Sequence, residues 1–333
     1  MISRLPSQRT QRRPAAMLVA FFLCLGEIAN LHAQAEKTEA SREDAIVFCS
    51  YNLKNWLLMD RTFNKTGKLT GKPEKEKVKV IEFLKAIHPD VLGVCEIGTD
   101  QDVADLKKRL LDAGLDYPYT ERAHGGDVTR SLALLSRFPI VARNSQTSLN
   151  YQLGELTLPM QRGILDVTVE VNPDFKLRCL GVHLKSMRTI PEADQALMRR
   201  NEAHLLRKHV EGILKAEPTT KLLAYGDFND HPKNDPIVAV RGDRAMPETS
   251  LSDVPLRDAN GLVWTHFYDW EDSYSRLDYA FVNKALHPHV SFRRSYIFWD
   301  KNFDDASDHR PIVLQLSLKS TKAEPKKAEP ATK

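Results

Sequence analysis

Run after run of apolar residues in this chain stops on an acid, an amide or a histidine. FCSYN stops at Asn52 and DVLGVCE at Glu96; GVHLKS presents His183, and KLLAYGDFND presents Asp227 and Asn229. SRLDYAFV carries Asp278 inside an otherwise apolar run, and SDHRPIV sets Asp308 and His309 just before one. Short apolar runs bounded by turn signals read as buried strands. Taken singly, each ending reads as a turn, because Gly, Asp and Asn are ordinary turn residues. Taken together, they ask for a common cause. A carboxylate such as Asp278, buried without a partner, costs several kcal/mol or is forced to protonate. The acids are therefore expected at one rim of a sheet, around a shared cation, with the histidines close by.

Between the strand-like runs lie helical patterns. PEKEKVKVIEFLKAI has Pro near its start, acids in its first turn, and Val80, Ile81, Leu84 and Ile87 on one face. DQDVADLKKRLLDAG is a second amphipathic helix, stopped by Gly114. PEADQALMRRNEAHLLRKHVEGILK is a third, longer one. AIVFCSYN, HPDVLGVCE, SLALLSRFPIVA, QRGILDVTVEV, KLRCLGVHL, KLLAYGDFN, SRLDYAFVN and HRPIVLQLSL read as strands. Strands and helices alternate in the first half, strands dominate the second, and no long-period repeat is visible. An α/β layered domain follows.

The ends differ from the body. Arg4, Arg9, Arg12 and Arg13 precede the apolar run AAMLVAFFLCLG and then HAQAE, the layout of a secretory signal over residues 1–35 cleaved after Ala35. The run is too short to span a bilayer comfortably. Cys24 follows Phe-Phe-Leu rather than small residues, which argues against a lipoprotein site. Residues 36–44 read as a linker and 319–333, rich in Lys, Ala, Glu and Pro, as a disordered tail. A secreted or periplasmic protein without a stable membrane anchor is expected. The net charge of +4 sits in the two ends, so the body is near neutral or slightly acidic. That argues against broad, sequence-independent binding of nucleic acid and leaves local basic patches open. Cys49, Cys95 and Cys179 lie in strand-like runs without metal spacing and read as buried small hydrophobes. One disulfide remains open in an oxidising compartment, with one thiol left over.

The donor atoms at the strand ends are oxygens: Glu96, Asp308, Asn52, Asp227 and Asn229. Hard oxygen ligands suit Mg²⁺, Mn²⁺ or Ca²⁺. Mg²⁺ takes few protein carboxylates and shares its other positions with water and phosphate, which points to a phosphate ester as substrate. A histidine held by an acid manages protons near neutral pH.

SYNLKNW, DVLGVCEI, GVHLKS, GDFNDHP, SRLDYAFV and SDHRPIV run in this order from about Ala45 to Leu318. In this the chain resembles the endonuclease/exonuclease/phosphatase superfamily. The resemblance implies a four-layer α/β sandwich: two mixed sheets face to face, helices outside, the site at one edge. It implies Glu96 as principal metal ligand, with Asn52 beside it and Asp308 assisting. It implies Asp227 and Asn229 on the attacking water and the phosphate, and His309 on the scissile phosphate with its tautomer set and its charged form favoured by Asp278. Asp227 and His309 both stay open as general base. His183 is implied as proton donor to the leaving oxygen and Asn52 as a phosphate contact; Arg162, in MQRGILDV, reads either as a phosphate contact or as a surface strand residue.

Two departures matter. Lys54 stands where abasic-site endonucleases carry an acid, which argues against a second metal there. Ser131 stands where many bacterial relatives place an acid, leaving the partner of His183 open, with Asp127 an alternative nearby. GDFNDHP and SRLDYAFV lack the continuations of the inositol phosphatase branch and look most like nuclease-type members. The expected activity is a secreted, metal-dependent phosphodiesterase, most simply a nuclease acting on nucleic acid as a monomer; no protein partner is implied. The rivals are a phosphomonoesterase or sphingomyelinase-type lipid phosphodiesterase of the same fold, and a non-catalytic binding protein. Arg61, Lys65, Lys68 and Lys72 in DRTFNKTGKLTGK read either as a polyanion-binding loop or as a solvated one. Trp264 and Tyr268 read either as a base-stacking pair or as core, and His287 and His289 as an exposed turn.

Overall fold

The computed structural model describes residues 44–62 and 64–319. The expected signal segment, the linker up to residue 43 and the tail after Lys319 lie outside the described residues.

Two six-stranded sheets carry the fold. Their strands, in chain order, are β1 (Ala45–Trp56), β2 (Val91–Ile97), β3 (Tyr119–Ala123), β4 (Ser131–Ser136), β5 (Ile140–Arg143), β6 (Leu165–Asn172), β7 (Phe175–His183), β8 (Lys221–Asp227), β9 (Leu251–Asp253), β10 (Asp278–Asn283), β11 (Tyr296–Ile297) and β12 (Ile312–Ser317). The first sheet has the order β11-β12-β1-β2-β4-β3 and the second β9-β10-β8-β7-β6-β5. Both are mixed: β1 runs parallel to β2 and β7 parallel to β8, while their other neighbours are antiparallel.

The helices are α1 (Glu74–Ile87), α2 (Asp100–Asp112), α3 (Gln195–Ala216) and α4 (Asp235–Arg241). Successive strand residues point to opposite faces, and the buried clusters follow that rule. Ile46 and Phe48 of β1, Leu177 and Cys179 of β7 and Leu223 and Tyr225 of β8 share the core between the sheets. Cys49, Tyr51 and Leu53 turn outward to meet Val80, Phe83 and Leu84 of α1 and Leu106 of α2. Leu222 and Ala224 turn outward to meet Leu206, Val210 and Ile213 of α3. The layers are thus helix, sheet, sheet, helix, the four-layer α/β sandwich expected.

Several local expectations need revision. SLALLSRFPIVA is two strands, not one: β4 belongs to the first sheet and β5 to the second. Pro139 lies at the break, where a residue without an N–H cannot continue a ladder. The face of α1 includes buried Phe83, while Ile81 is only partly buried. Helix α3 starts after Asp194, whose carboxylate accepts from the N–H groups of Ala196 and Leu197, rather than at Pro191. Cys49, Cys95 and Cys179 are all buried and free, so the disulfide left open does not form among them. His289, expected in an exposed turn, is buried, with Nδ1 2.8 Å from the Ser317 carbonyl oxygen.

Candidate active site

Strand register builds most of the site. Parallel pairing sets His183 of β7 beside Asp227 of β8, and antiparallel pairing sets Asp227 beside Asp278 of β10. The three therefore form one row across adjacent strands, at the end of the second sheet. All three share the strand parity of Cys179, Tyr225 and Ala280, so they face the other sheet. Asn52 shares the parity of Ile46 and Phe48 and faces them from β1.

Glu96 departs from this rule. By parity it would point outward with Leu92 and Val94. Instead β2 carries a bulge against β4: Cys95 pairs with Leu132, and the next pair is Ile97 with Ser131. Glu96 takes the left-handed conformation (φ 60). A bulge of this kind re-aims a side chain, and Glu96 Oε1 comes to 3.9 Å from His183 Nε2. Lys54 (φ 47), Asn55 (φ 62) and Asn229 (φ 51) share that uncommon backbone region around the same rim.

Asp227 is the hub. Its Oδ1 accepts from the Asn229 N–H (2.9 Å) and its Oδ2 from Asn52 Nδ2 (3.1 Å). His183 Nε2 is 3.5 Å and His309 Nε2 3.7 Å from the same Oδ2. His309 Nδ1 sits 2.8 Å from Asp278 Oδ2. The loop that delivers His309 is tied down by Ser307, whose Oγ donates to the Asn52 carbonyl oxygen (2.8 Å) and accepts from the His309 N–H (3.1 Å). Asn229 is buried and uses its Nδ2 on the Leu184 carbonyl oxygen (3.0 Å). Asp308 is partly exposed beside Ser307.

These environments push the charges apart. Burial raises the pKa of Asp227, and nearby Asp278 and Glu96 add to the rise against the opposing pull of His309. Burial disfavours charge on His309, but Asp278 and Asp227 outweigh it and raise its pKa, so the ring is held as an imidazolium. Burial, with Arg162, His309, Arg130 and Lys185 nearby, lowers that of His183 and keeps its ring neutral. Its Nε2 faces the Asp227 and Glu96 carboxylates at 3.5 and 3.9 Å, so that nitrogen is the one placed to carry a ring hydrogen.

Asp127 is not the partner of His183. It pairs with Arg162 (3.2 Å) and Arg130 (3.8 Å), and His183 Nδ1 has no hydrogen-bond partner among the described residues. Arg162 is buried, and its Nε and Nη1 are equally without partners there. The unused guanidinium donors of Arg162, buried near His183, can receive an anion's oxygens. The expected polyanion loop is divided: Arg61 donates to the carbonyls of Asn55, Leu57 and Gly71 and the buried Lys72 to Glu76, whereas Lys65, bonded to the Asp60 carbonyl, and Lys68 are exposed. Trp264 packs against Tyr274, Phe303 and Trp299, with the Arg310 guanidinium 3.5 Å from its ring, and is partly buried against the core.

Sequence reasoning missed His266. Its ring centroid is 4.6 Å from that of His309, joined by a backbone bridge between the two residues. It lies in VWTHFYDW, away from any apolar run ending in a polar group, so the pattern that found the others passes over it. The second acid of GDFND, Asp230, is also accounted for: it binds Arg199 (2.8 Å) behind the site.

For a divalent cation the donor set is sparse. Among the described residues no three of His, Cys, Asp and Glu gather as a cage. The Glu96 carboxylate is partly exposed, faces the site and makes no hydrogen bond to the described residues. The Asn52 amide oxygen accepts from the Lys54 N–H (3.0 Å) and keeps a second lone pair; with Asp308 it offers the further hard oxygen donors that a divalent cation sharing its positions with water and phosphate takes.

No curated protein matches the chain. Solved structures share its fold at low identity. An endonuclease/exonuclease/phosphatase family protein from Bacteroides thetaiotaomicron is 17% identical, with 82% of this chain and 97% of that one covered at a TM-score of 0.56. Sphingomyelinase C from Streptomyces griseocarneus is 14% identical, with 82% and 99% covered at 0.54. The human Nocturnin catalytic domain with bound sulfate is 18% identical, with 82% and 94% covered at 0.56. The model of the Endonuclease/Exonuclease/phosphatase family matches residues 69–309, a span that contains Glu96, His183, Asp227, Asn229, Asp278, Asp308 and His309. The chain belongs to the endonuclease/exonuclease/phosphatase family.

Proposed function

We propose that this protein hydrolyses phosphodiester bonds with the help of a divalent cation, Mg²⁺ or Mn²⁺, and that its substrates are nucleic acids or their fragments. The row His183–Asp227–Asp278, closed by His309 and faced by Glu96, carries this reading. Binding alone does not call for a buried carboxylate with a raised pKa beside an imidazolium fixed by a second acid.

In this reading Asp227 accepts a proton from the attacking water, which Asn229 helps to align; the water oxygen bonds to phosphorus as the bond to the leaving oxygen breaks, and that oxygen takes a proton from solvent. The His309 imidazolium donates from Nε2 to a phosphoryl oxygen, and Asp278 keeps its Nδ1 proton in place. Asn52, His183 and Arg162 supply further donors to the phosphate. A cation held by Glu96, Asn52 and Asp308 would supply charge stabilisation to the phosphate and the leaving oxygen. We also propose export with cleavage after Ala35, which sequencing the N-terminus of the exported protein checks.

The test uses purified protein and Glu96→Ala with plasmid DNA, RNA, a chromogenic phosphodiester and a phosphomonoester, in Mg²⁺, Mn²⁺ and chelator. Metal-dependent cleavage of nucleic acid is expected, reduced at least about a hundredfold by Glu96→Ala. Cleavage of the monoester alone would replace this reading with a phosphatase. No turnover in any metal would remove catalysis from the account.

A further inference from the structure

A short hairpin leads outward from His309. Residues 266–268 pair antiparallel with residues 273–275, His266 opposite Ser275 and Tyr268 opposite Ser273. Alternation gives the hairpin two unlike faces. On one, Phe267 and Tyr274 stack (4.7 Å between centroids, 25° between planes), and the core residues Phe303 and Trp264 pack against them. The other presents the rings of His266 and Tyr268, opposed only by two serines.

Those rings form a path. The His266 centroid lies 4.6 Å from that of His309, and the Tyr268 ring is nearly parallel to His266, 18° between planes and 6.4 Å between centroids. Tyr268 is 47% exposed. The base of the hairpin is pinned to the catalytic loop: the Phe267 N–H donates to the Asp308 carbonyl (2.9 Å) and the Arg310 N–H to the Thr265 carbonyl (2.7 Å). The platform is therefore fixed relative to His309.

We propose that His266 and Tyr268 form a stacking subsite for one nucleobase of the substrate, adjoining the phosphate to be cut. The proposal rests on the phosphodiesterase reading of the site. A flat π-face accepts any base, and imidazole and hydroxyl groups at its edge meet base edges. The exposed tip carries Asp269, Glu271 and Asp272, which repel further phosphates. The subsite thus suits a base attached to the scissile phosphate.

The experiment compares wild type, Tyr268→Ala and Tyr268→Phe. Cleavage of the dinucleotide TpT is measured against the same phosphodiester with abasic spacers in place of the bases. Binding of thymidine 5′-phosphate and of deoxyribose 5-phosphate is measured by calorimetry. A roughly tenfold to hundredfold preference for the base-bearing ligand is expected in wild type. Tyr268→Ala should erase it, chiefly through KM, and Tyr268→Phe should keep it. Equal binding of the two ligands by wild type, which needs no variant to fold, would overturn the subsite. So would a preference that survives Tyr268→Ala. Failure of wild type to cut either phosphodiester would instead remove the phosphodiesterase reading, and the binding comparison would still decide the platform.

Discussion

At the scale of single residues, the site depends on what surrounds Asp227 and His309. Asp278 is the only carboxylate with an oxygen at hydrogen-bond distance from His309 Nδ1 among the described residues. Asp278→Asn removes that charge and lets the ring turn or change tautomer. The expected loss in kcat is roughly a hundredfold to ten-thousandfold, with the His309 pKa lowered in an NMR titration. An unchanged His309 titration would show that Asp278 does not set it. The pH dependence follows from the sign at Asp227. Its pKa is raised, so at low pH it carries the proton it should accept, and it gains activity as pH climbs through the raised value. The acidic limb of kcat/KM should therefore lie well above the ordinary carboxylate range and vanish, with the activity, in Asp227→Asn. A limb near the ordinary aspartate value would assign the base to another group. The sequence identified both acids, Asp227 because it ends an apolar run and Asp278 because it interrupts one. The resemblance implied that Asp278 favours the charged form of His309, but nothing in the sequence revealed that burial and Arg162 lower the His183 pKa, since that depends on neighbours far along the chain.

At the scale of elements, the glycine in GDFND is not there for a turn. Gly226 lies within β8 at φ 131, and a Cβ on it would sit 2.0 Å from the Val182 carbonyl oxygen. The close approach of β7 and β8 at that point brings His183 level with Asp227. Gly226→Ala should push the strands apart. A stability loss of about 1–3 kcal/mol is expected, with a larger loss of kcat, measured by urea unfolding and by turnover. Retained activity in a folded Gly226→Ala would mean the row tolerates a shift of register. Similarly, Gly93 leaves room for the Tyr225 ring, which a Cβ would meet at 2.1 Å across the two sheets. At the start of α3, Asp194→Ala should cost about 1 kcal/mol of stability without altering kcat, because it removes a cap away from the row. Helices were legible from their 3.6-residue pattern and caps. The split of SLALLSRFPIVA between two sheets was not, because both halves have the same apolar pattern and only pairing partners distinguish them.

At the scale of the whole molecule, the second sheet and α3 are joined by a buried charge cluster. Asp166 is fully buried, takes Arg178 through both oxygens (2.8 and 2.6 Å), and lies 2.8 Å from His209 Nε2. Burial would raise its pKa, but His209 and Arg178 outweigh that and lower it. A depressed carboxylate pKa stabilises the fold above its unfolded value near 4 and loses that contribution as pH falls through the folded value. Asp166→Asn should cost about 2–3 kcal/mol at neutral pH, less than a wholly buried pair because Arg178 reaches solvent. It should also flatten the acid side of the stability curve, as followed by denaturant midpoints from pH 7 to 3. A variant with an unchanged acid limb would place the acid sensitivity elsewhere. Taken by itself, the sequence determined the layered α/β class, the helices, and which residues would meet at one rim, because periodicity and the cost of burying polar groups are written locally. The tertiary structure alone decided the bulge that turns Glu96 inward, the pairing of Asp127 with Arg162 and the ring path from His309 to Tyr268. Each depends on strand register or on contacts between residues far apart in the chain, and neither is encoded in any single window of sequence.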